Sequence, residues 1–300
     1  MEKIQKRPKV SVCIVTYNHE KYLGQCLQSI VDQTVDFDFE VIVGEDCSTD
    51  GTREILRQFS ERYPTLIKPI YHANNLGPTK NYIDIHAAAT GEYIAHCDGD
   101  DSWCQGKLAY QVRFLDNHPE IAAVFSNANY GDGVRNRAGE SGVYRLEKIL
   151  EKVYTKNLCI HSSILERNAT ANLPYGEQRD LFDFTIYWLK HGNALVYIDP
   201  VVRVNYSRNP DGLCCNKKFV ESLRPSLQKM EGIGINASLL ERMRFDYEML
   251  KYFSDPLAME RPSITTAIRQ RYPLGMLGRL IAPKNVYLTI RSLKKSLPGA

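Results

Sequence analysis

The sequence predicts an α/β protein: a mainly parallel sheet flanked by helices, followed by a helical C-terminal extension. Three observations carry this. Over the first 130 residues, short apolar runs rich in β-branched residues alternate with stretches of helical period. Polar clusters close three of those runs, at Thr16-Tyr17-Asn18, Glu45-Asp46 and Asp98 to Asp101. From about Lys217 onward strand signals fade and the chain reads as helical. With 300 residues, 43% hydrophobic and 24% charged, the chain has material for a full core. A disordered tail protein, a collagen-like chain and a disulfide miniprotein are excluded.

Val10 to Tyr17 is a nearly continuous apolar run, the pattern of a strand covered on both faces. Tyr22, Leu23, Cys26, Leu27, Ile30 and Val31 then recur at helical spacing. Phe39 to Val43 reads as a second strand, and Ser48 or Thr49 as the cap of a helix burying Ile55, Leu56 and Phe59. Ile67 to Tyr71 is a strand weakened by Pro69, followed by a helix from about Thr79 to Ala89. Tyr93 to Cys97 is a further strand ending on Asp98-Gly99-Asp100-Asp101. Gly131 to Gly142 is a polar, glycine-rich loop, Asp180–His191 a helix stopped by Gly192, and Ala194 to Ile198 a strand. The division predicted is a domain over 1–215 and an extension over 216–300.

The net charge of +3 averages two unlike regions. Residues 261–300 hold eight Lys or Arg and no Asp or Glu, so residues 1–260 carry −5. The eight cysteines form no C-x-x-C pair, and Cys214-Cys215 is adjacent, a poor geometry for a bridge. A reducing, cytoplasmic setting fits. The polar start MEKIQKRPKV lacks a signal-peptide apolar stretch, and no uncharged apolar run reaches 18 residues.

In parallel sheets ligands collect beyond the carboxyl ends of the strands, and three polar clusters on one such edge make a site. Asp98-Gly99-Asp100 sets two carboxylates at i and i+2 past a strand. Hard cations such as Mg2+ or Mn2+ take one or two carboxylates together with substrate phosphates. Taken alone, an acidic turn or helix N-cap would explain most such motifs, with Asp101 favouring the positive end of the next helix. A carboxylate at Asp46 is placed to accept from a nucleobase N–H or a ribose hydroxyl. No two histidines have metal-ligand spacing; His96 reads as packed or hydrogen-bonded, His161 has no role, and Trp103 reads as packing beneath the acidic loop or as a sugar-stacking face.

VSVCIVTYN, VIVGEDCSTDGT, NNLGPTKN and GEYIAHCDGDD followed by Trp103, in that order, resemble the family 2 glycosyltransferases of the GT-A (Rossmann-like) fold, most clearly over residues 8–125. The resemblance implies that Thr16, Tyr17 and Asn18 line the nucleobase and ribose pocket and that Asp46 contacts the base. Glu45, where many relatives have Asp, keeps the charge, and Lys80 reaches the nucleotide. Asp98 contacts ribose or metal-bound water, and Asp100 coordinates the Mn2+ or Mg2+ that holds the diphosphate. The implied reaction is inverting, with a general base just before a helix in the second half. Asp180 matches that place best and Asp183 second; Asp180 is equally placed as a helix N-cap. Tyr206 and Arg208 resemble an element that closes on the diphosphate.

The resemblance therefore implies transfer of a sugar from a nucleotide-diphospho-sugar, a UDP-sugar first, to a hydroxyl of a saccharide acceptor. That acceptor is lipid-linked in bacterial relatives that build capsule or O-antigen. The basic, apolar-studded tail 261–300 fits a peripheral contact with an anionic membrane on its inner face, or a lid or homo-oligomer arm. Nucleic acid is disfavoured by the acidic body. The competing readings are a nucleotidyltransferase, which lacks its glycine-rich basic loop here, and a catalytically silent nucleotide- or sugar-binding scaffold.

Overall fold

The computed structural model describes residues 7–130, 141–149, 160–172, 188, 190–207, 209, 237–254, 262–263 and 265–266. The chain divides into two compact units, residues 1–153 with 157–212, and residues 154–156 with 213–300.

Among the described residues the first unit is built on one nine-stranded sheet. Its strands are β1 (Val10–Thr16), β2 (Phe39–Glu45), β3 (Ile67–Tyr71), β4 (Tyr93–Asp98), β5 (Ser102–Trp103), β6 (Ile121–Asn129), β7 (Gly142–Arg145), β8 (Leu165–Arg167) and β9 (Leu195–Asn205). The order is β3-β2-β1-β4-β8-β6-β9-β5, with β7 also on β9. β1 to β4 pair in parallel. β8 is antiparallel to both β4 and β6, and β6 is parallel to β9. Six strands therefore run one way and end at one edge, the mainly parallel sheet the sequence predicts, with β6 a strand the sequence reading did not name. The three that oppose them, β5, β7 and β8, have two to four residues each.

Side-chain alternation divides the core in two. Val10, Val12 and Ile14 of β1, Val41 and Val43 of β2, and Tyr93, Ala95 and Cys97 of β4 face one side. There they join Leu23, Cys26, Leu27 and Ile30 of α1 (Leu23–Val31), Leu56 of α2 (Thr52–Arg62), and Leu108, Val112 and Leu115 of α4 (Lys107–Asn117). Cys13, Ile42 and Ile94 face the other side and meet Ile85 of α3 (Pro78–Ala87) and Ala89. Each fully buried aliphatic side chain contributes about 1.5–3 kcal/mol. Because both faces are covered, β1 and β2 are buried almost throughout, which is why their sequences read as nearly continuous apolar runs.

One expectation is corrected. Neither Ser48 nor Thr49 caps α2, whose N-cap is Gly51. Asp50 Oδ1 accepts from the Thr52 amide at 3.0 Å and its hydroxyl at 2.5 Å. Ser48 and Thr49 instead cross to the loop after β1: Ser48 Oγ accepts from the Asn18 amide, and the Thr49 amide donates to Asn18 Oδ1. Of the helix expected over 180–191, Trp188, Lys190 and His191 are helical, and the chain leaves it through Gly192 at φ 58, a left-handed conformation suited to glycine. The rest of that helix lies outside the described residues, as does the loop expected over 131–142 apart from Ser141 and Gly142, and Gly142 already opens β7.

In the second unit the described secondary structure is helical. α5 (Ala237–Ser254) buries Leu240, Met243 and Tyr247, spaced along one helical face. Apart from residues 262, 263, 265 and 266, the basic tail is outside the described residues.

Candidate active site

The carboxyl ends of β1, β2, β4, β6 and β9 share one edge, and the acidic loop after β4 sits at its centre. Gly99 follows Asp98 there, and a Cβ at that position would lie 2.6 Å from Thr16 Oγ1 and 2.8 Å from His19 Nδ1. Only glycine lets the loop pass so close to the end of β1. Thr16 Oγ1 is 3.2 Å from His19 Nδ1, and His19 Nε2 is 3.7 Å from Asp100 Oδ2. The β1 cluster and the acidic loop thus face each other.

The three acidic side chains have different environments. Asp98 Oδ1 contacts His161 Nδ1 at 3.0 Å. Burial raises its pKa, but His161, His19 and His96 outweigh this and hold the carboxyl below its usual range. Asp100 is raised by burial first; His19 opposes the shift and the Asp98 charge adds to it, while Asn209 Nδ2 donates to Oδ2 at 3.3 Å. Asp101 is 1% exposed and is pushed well above the carboxylate range by burial and by both neighbouring aspartates. Its Oδ2 accepts from Ser162 Oγ at 2.5 Å and its Oδ1 from the Ser207 amide at 2.8 Å.

Asp98 and Asp100 therefore fit a divalent cation by donor chemistry. Both are oxygen ligands on one tight turn, and Asp100 pays a burial cost that a cation would relieve. Mn2+ or Mg2+ would be held by this pair.

The other predicted residues fall into two groups. Asp46 Oδ1 accepts from the Leu76 amide at 2.7 Å and Oδ2 from the Gly77 amide at 2.9 Å, so the start of the NNLGPTKN segment clasps it, a contact the sequence did not reveal. Burial raises Asp46, and those two amides pull it back. Tyr17 is 42% exposed at the same edge, and Asn18 adopts a left-handed φ of 54 while bonding to the Ser48-Thr49 turn. Glu45, counted with the pocket residues from sequence, has a fully buried side chain. Its oxygens accept from the Ser48 amide at 2.6 Å and Arg53 Nε at 2.6 Å, so it holds the loop from behind rather than facing a ligand. Lys80 bonds Asp84 one turn along α3 at 2.7 Å, a K-x-x-x-D spacing visible in the sequence. Asp180, Asp183 and Arg208 lie outside the described residues.

Sequence reasoning missed the His161–Ser163 turn. His161 touches Asp98, and Ser162 reaches both Asp98 and Asp101. The available signal was a polar His-Ser-Ser triplet directly before the apolar strand Ile164-Leu165. Trp103 is 4% exposed and donates from Nε1 to the Ser162 carbonyl at 3.0 Å, so it packs beneath the loop rather than presenting a sugar platform.

Behind the acidic loop, ligand atoms of His86, His96 and Glu166 lie within 4.8 Å of one another. Glu166 already accepts from His96 Nε2 at 2.9 Å, from His191 Nε2 at 2.7 Å and from the buried Lys190 ammonium. That ammonium balances the only carboxylate of the group, so the group is an internal ion cluster with no net charge for a metal.

Comparison with known proteins agrees with this geometry. The chain is 34% identical to an uncharacterized protein of Mycobacterium tuberculosis over 161 residues, 53% of this chain and 46% of that protein. It is 36% identical over 124 residues to the putative teichuronic acid biosynthesis glycosyltransferase TuaG of Bacillus subtilis, 41% of this chain and 47% of that protein. The chain thus spans about half the length of the curated relatives it matches. Among solved structures it resembles residues 1–349 of S. aureus TarS in complex with UDP-GlcNAc, with a TM-score of 0.61 and 20% identity over 89% of this chain and 77% of that one. It also resembles the mannosyltransferase PcManGT of Pyrobaculum calidifontis in complex with GDP-Man and Mn2+, with a TM-score of 0.62 and 19% identity over 97% and 85%. At these identities the likeness is one of fold, the GT-A fold. The model of glycosyl transferase family 2 matches residues 11–171, more than half of the sequence, and the chain belongs to that family.

Proposed function

We propose that the protein is a metal-dependent, inverting glycosyltransferase. It moves a sugar from a nucleotide-diphospho-sugar, a UDP-sugar first, to a hydroxyl of a lipid-linked saccharide acceptor in surface polysaccharide biosynthesis. One observation carries this reading: Asp46, with its clasping amides, and the Asp98/Asp100 pair stand at one sheet edge, beside the partly exposed Tyr17.

In this reading Asp46 and the Thr16-Tyr17-Asn18 segment take the nucleoside, assisted by Lys80, while Glu45 fixes the loop. Asp98 and Asp100 hold the cation, which supplies neutralisation of the leaving diphosphate. Arg208 adds a positive charge from the segment after β9. Asp180, or Asp183 in its place, takes the proton of the attacking acceptor hydroxyl as the anomeric carbon inverts. TuaG's name, a UDP-GlcNAc complex and a GDP-Man complex with Mn2+ are what similar proteins contribute. Uracil is placed first because Asp46 and Lys80 match a uracil pocket in the family resemblance; thymine offers the same imide N–H, so dTDP is the nearest competitor.

Residues 1–215 form the catalytic domain in this account, and 216–300 a helical extension whose basic tail meets anionic lipid. Among the described residues no helix is long and apolar enough to cross a membrane. The protein then works at the cytoplasmic face as a peripheral enzyme.

A thermal-shift screen of UDP, GDP, dTDP and CDP, each with and without Mn2+, tests the reading. The largest stabilisation is expected for UDP with Mn2+, and no Mn2+-dependent shift with any of the four would overturn it. Asp180→Asn is expected to abolish turnover with donor binding intact; full activity there passes the role to Asp183. Flotation with anionic vesicles, with and without 261–300, tests the membrane contact, which fails if both forms stay in solution.

A further inference from the structure

We propose that Ser162 and Asp101 are positioning residues that set the metal affinity of the acidic loop without touching metal or substrate. The inference rests on the reading of Asp98 and Asp100 as cation ligands.

Ser162 is fully buried, and its hydroxyl is used in both directions. It accepts from the Asp98 amide at 2.9 Å and donates to Asp101 Oδ2 at 2.5 Å. A hydroxyl has one proton to give, so these two bonds define its orientation. The second oxygen of Asp101 accepts from the Ser207 amide at 2.8 Å. Asp101 thus joins the acidic loop to two separate segments, the 161–163 turn ahead of β8 and the stretch just after β9.

Both links bear on the ligands. His161, next to Ser162, contacts Asp98 Oδ1 at 3.0 Å, and Asn209, two residues past Ser207, donates to Asp100 Oδ2 at 3.3 Å. Each ligand carboxylate is steadied by a residue whose own segment is tied down through Asp101. Ser162 adds a third tie, since its carbonyl accepts from Trp103 Nε1 at 3.0 Å. Asp101 itself has both oxygens committed to protein donors, so its acidity serves the loop and not the cation. Metal affinity depends on how well such outer partners fix the ligands, and their loss typically costs 10–100-fold.

The clamp acts on Asp98, Trp103 and Ser207, whereas Asp46 in the nucleoside half is held by other groups, the Leu76 and Gly77 amides. Its loss should therefore separate two affinities that a general loosening of the protein would lower together. The test is calorimetric titration of the full chain with UDP over a Mn2+ series, and with uridine, which has no diphosphate. Ser162→Ala is expected to raise the Mn2+ concentration for half-maximal UDP binding at least tenfold, with uridine affinity within twofold of wild type. Asp101→Asn, which keeps the shape and one acceptor, is expected to raise it at least threefold and guards against a folding defect in the first variant. A Mn2+ requirement within twofold of wild type in both variants, or a parallel fall in uridine affinity, would overturn the positioning role alone. Wild-type UDP binding indifferent to Mn2+ would overturn the cation reading beneath it.

Discussion

Glu166 Oε1 and His96 Nε2 lie 2.9 Å apart with both side chains fully buried, on adjacent strands behind the acidic loop. Burial alone would raise Glu166, but Lys190, His191 and His96 hold it well below the carboxylate range. The anion is stable inside the protein because three donors surround it. Glu166→Gln should cost about 3–5 kcal/mol, since it removes the carboxylate charge paired with the buried Lys190 ammonium. Urea unfolding measures this, and a loss under about 1 kcal/mol would contradict it. The sign of the pH effect follows from the direction of the shift. A depressed carboxyl stabilises above its unfolded value of about 4.3 and loses that contribution as pH falls further.

His86 gives a separate pH signature at milder acidity. Its ring is fully buried, stacks on Tyr82 with centroids 3.7 Å apart, and donates from Nδ1 to the Tyr82 carbonyl at 2.6 Å. Burial first, then His96 and Lys190, push it well below the ordinary histidine value. The unfolded chain therefore takes up the proton first, so the stability contributed by the neutral ring is complete above about pH 6.5 and declines below it. The decline from this one group approaches about 1.4 kcal/mol per pH unit. His86→Phe, which keeps the stacking ring, should flatten the fall in stability between pH 6.5 and 5; an unchanged slope would contradict the assignment.

Lys107 is buried beneath the same loop, its Nζ 4.0 Å from the centroid of the Trp103 ring and 2.9 Å from Gln111 Oε1. Burial lowers its pKa to about 7. Between about pH 10.4 and 7 the unfolded chain holds a proton that the folded one lacks, so stability falls as pH drops through that window. Lys107→Met should be more stable than wild type by about 1–4 kcal/mol at pH 7, with the gain shrinking toward pH 10. Thermal melts across that range decide it, and a gain independent of pH would contradict the buried-amine account.

Asp46 binds two backbone amides of the loop before α3. Hydrogen bonds to a charged group contribute about 1.5–3 kcal/mol each. Asp46→Ala should release the loop and weaken UDP binding at least tenfold while leaving the Mn2+ requirement of the residual binding unchanged. Equal affinity in the variant would remove Asp46 from the nucleoside pocket.

The parallel half of the sheet was legible because it is covered on both faces: VSVCIVT and EVIVG have few other ways to be buried. The acidic loop was legible because glycine between two aspartates follows a strand directly. The rest depended on long-range contact. Ser162 reaches Asp101 across 61 residues, and Asn209 reaches Asp100 across 109, separations at which sequence spacing carries no signal. Ser48 and Thr49 look like helix caps locally, yet their bonds run 30 and 31 residues back to Asn18. Glu45 and Asp46 are adjacent in sequence but serve opposite duties: Glu45 closes β2 and accepts from Ser48 and Arg53, while Asp46, just past the strand, accepts from Leu76 and Gly77.

The measurement that tests the central claim most directly is calorimetric titration of wild type and Asp100→Asn with UDP, with and without Mn2+. Wild type should bind UDP strongly only with the cation present, and the variant should lose at least tenfold of that affinity while its residual binding no longer responds to Mn2+. Undiminished Mn2+-dependent UDP binding by Asp100→Asn would contradict the account.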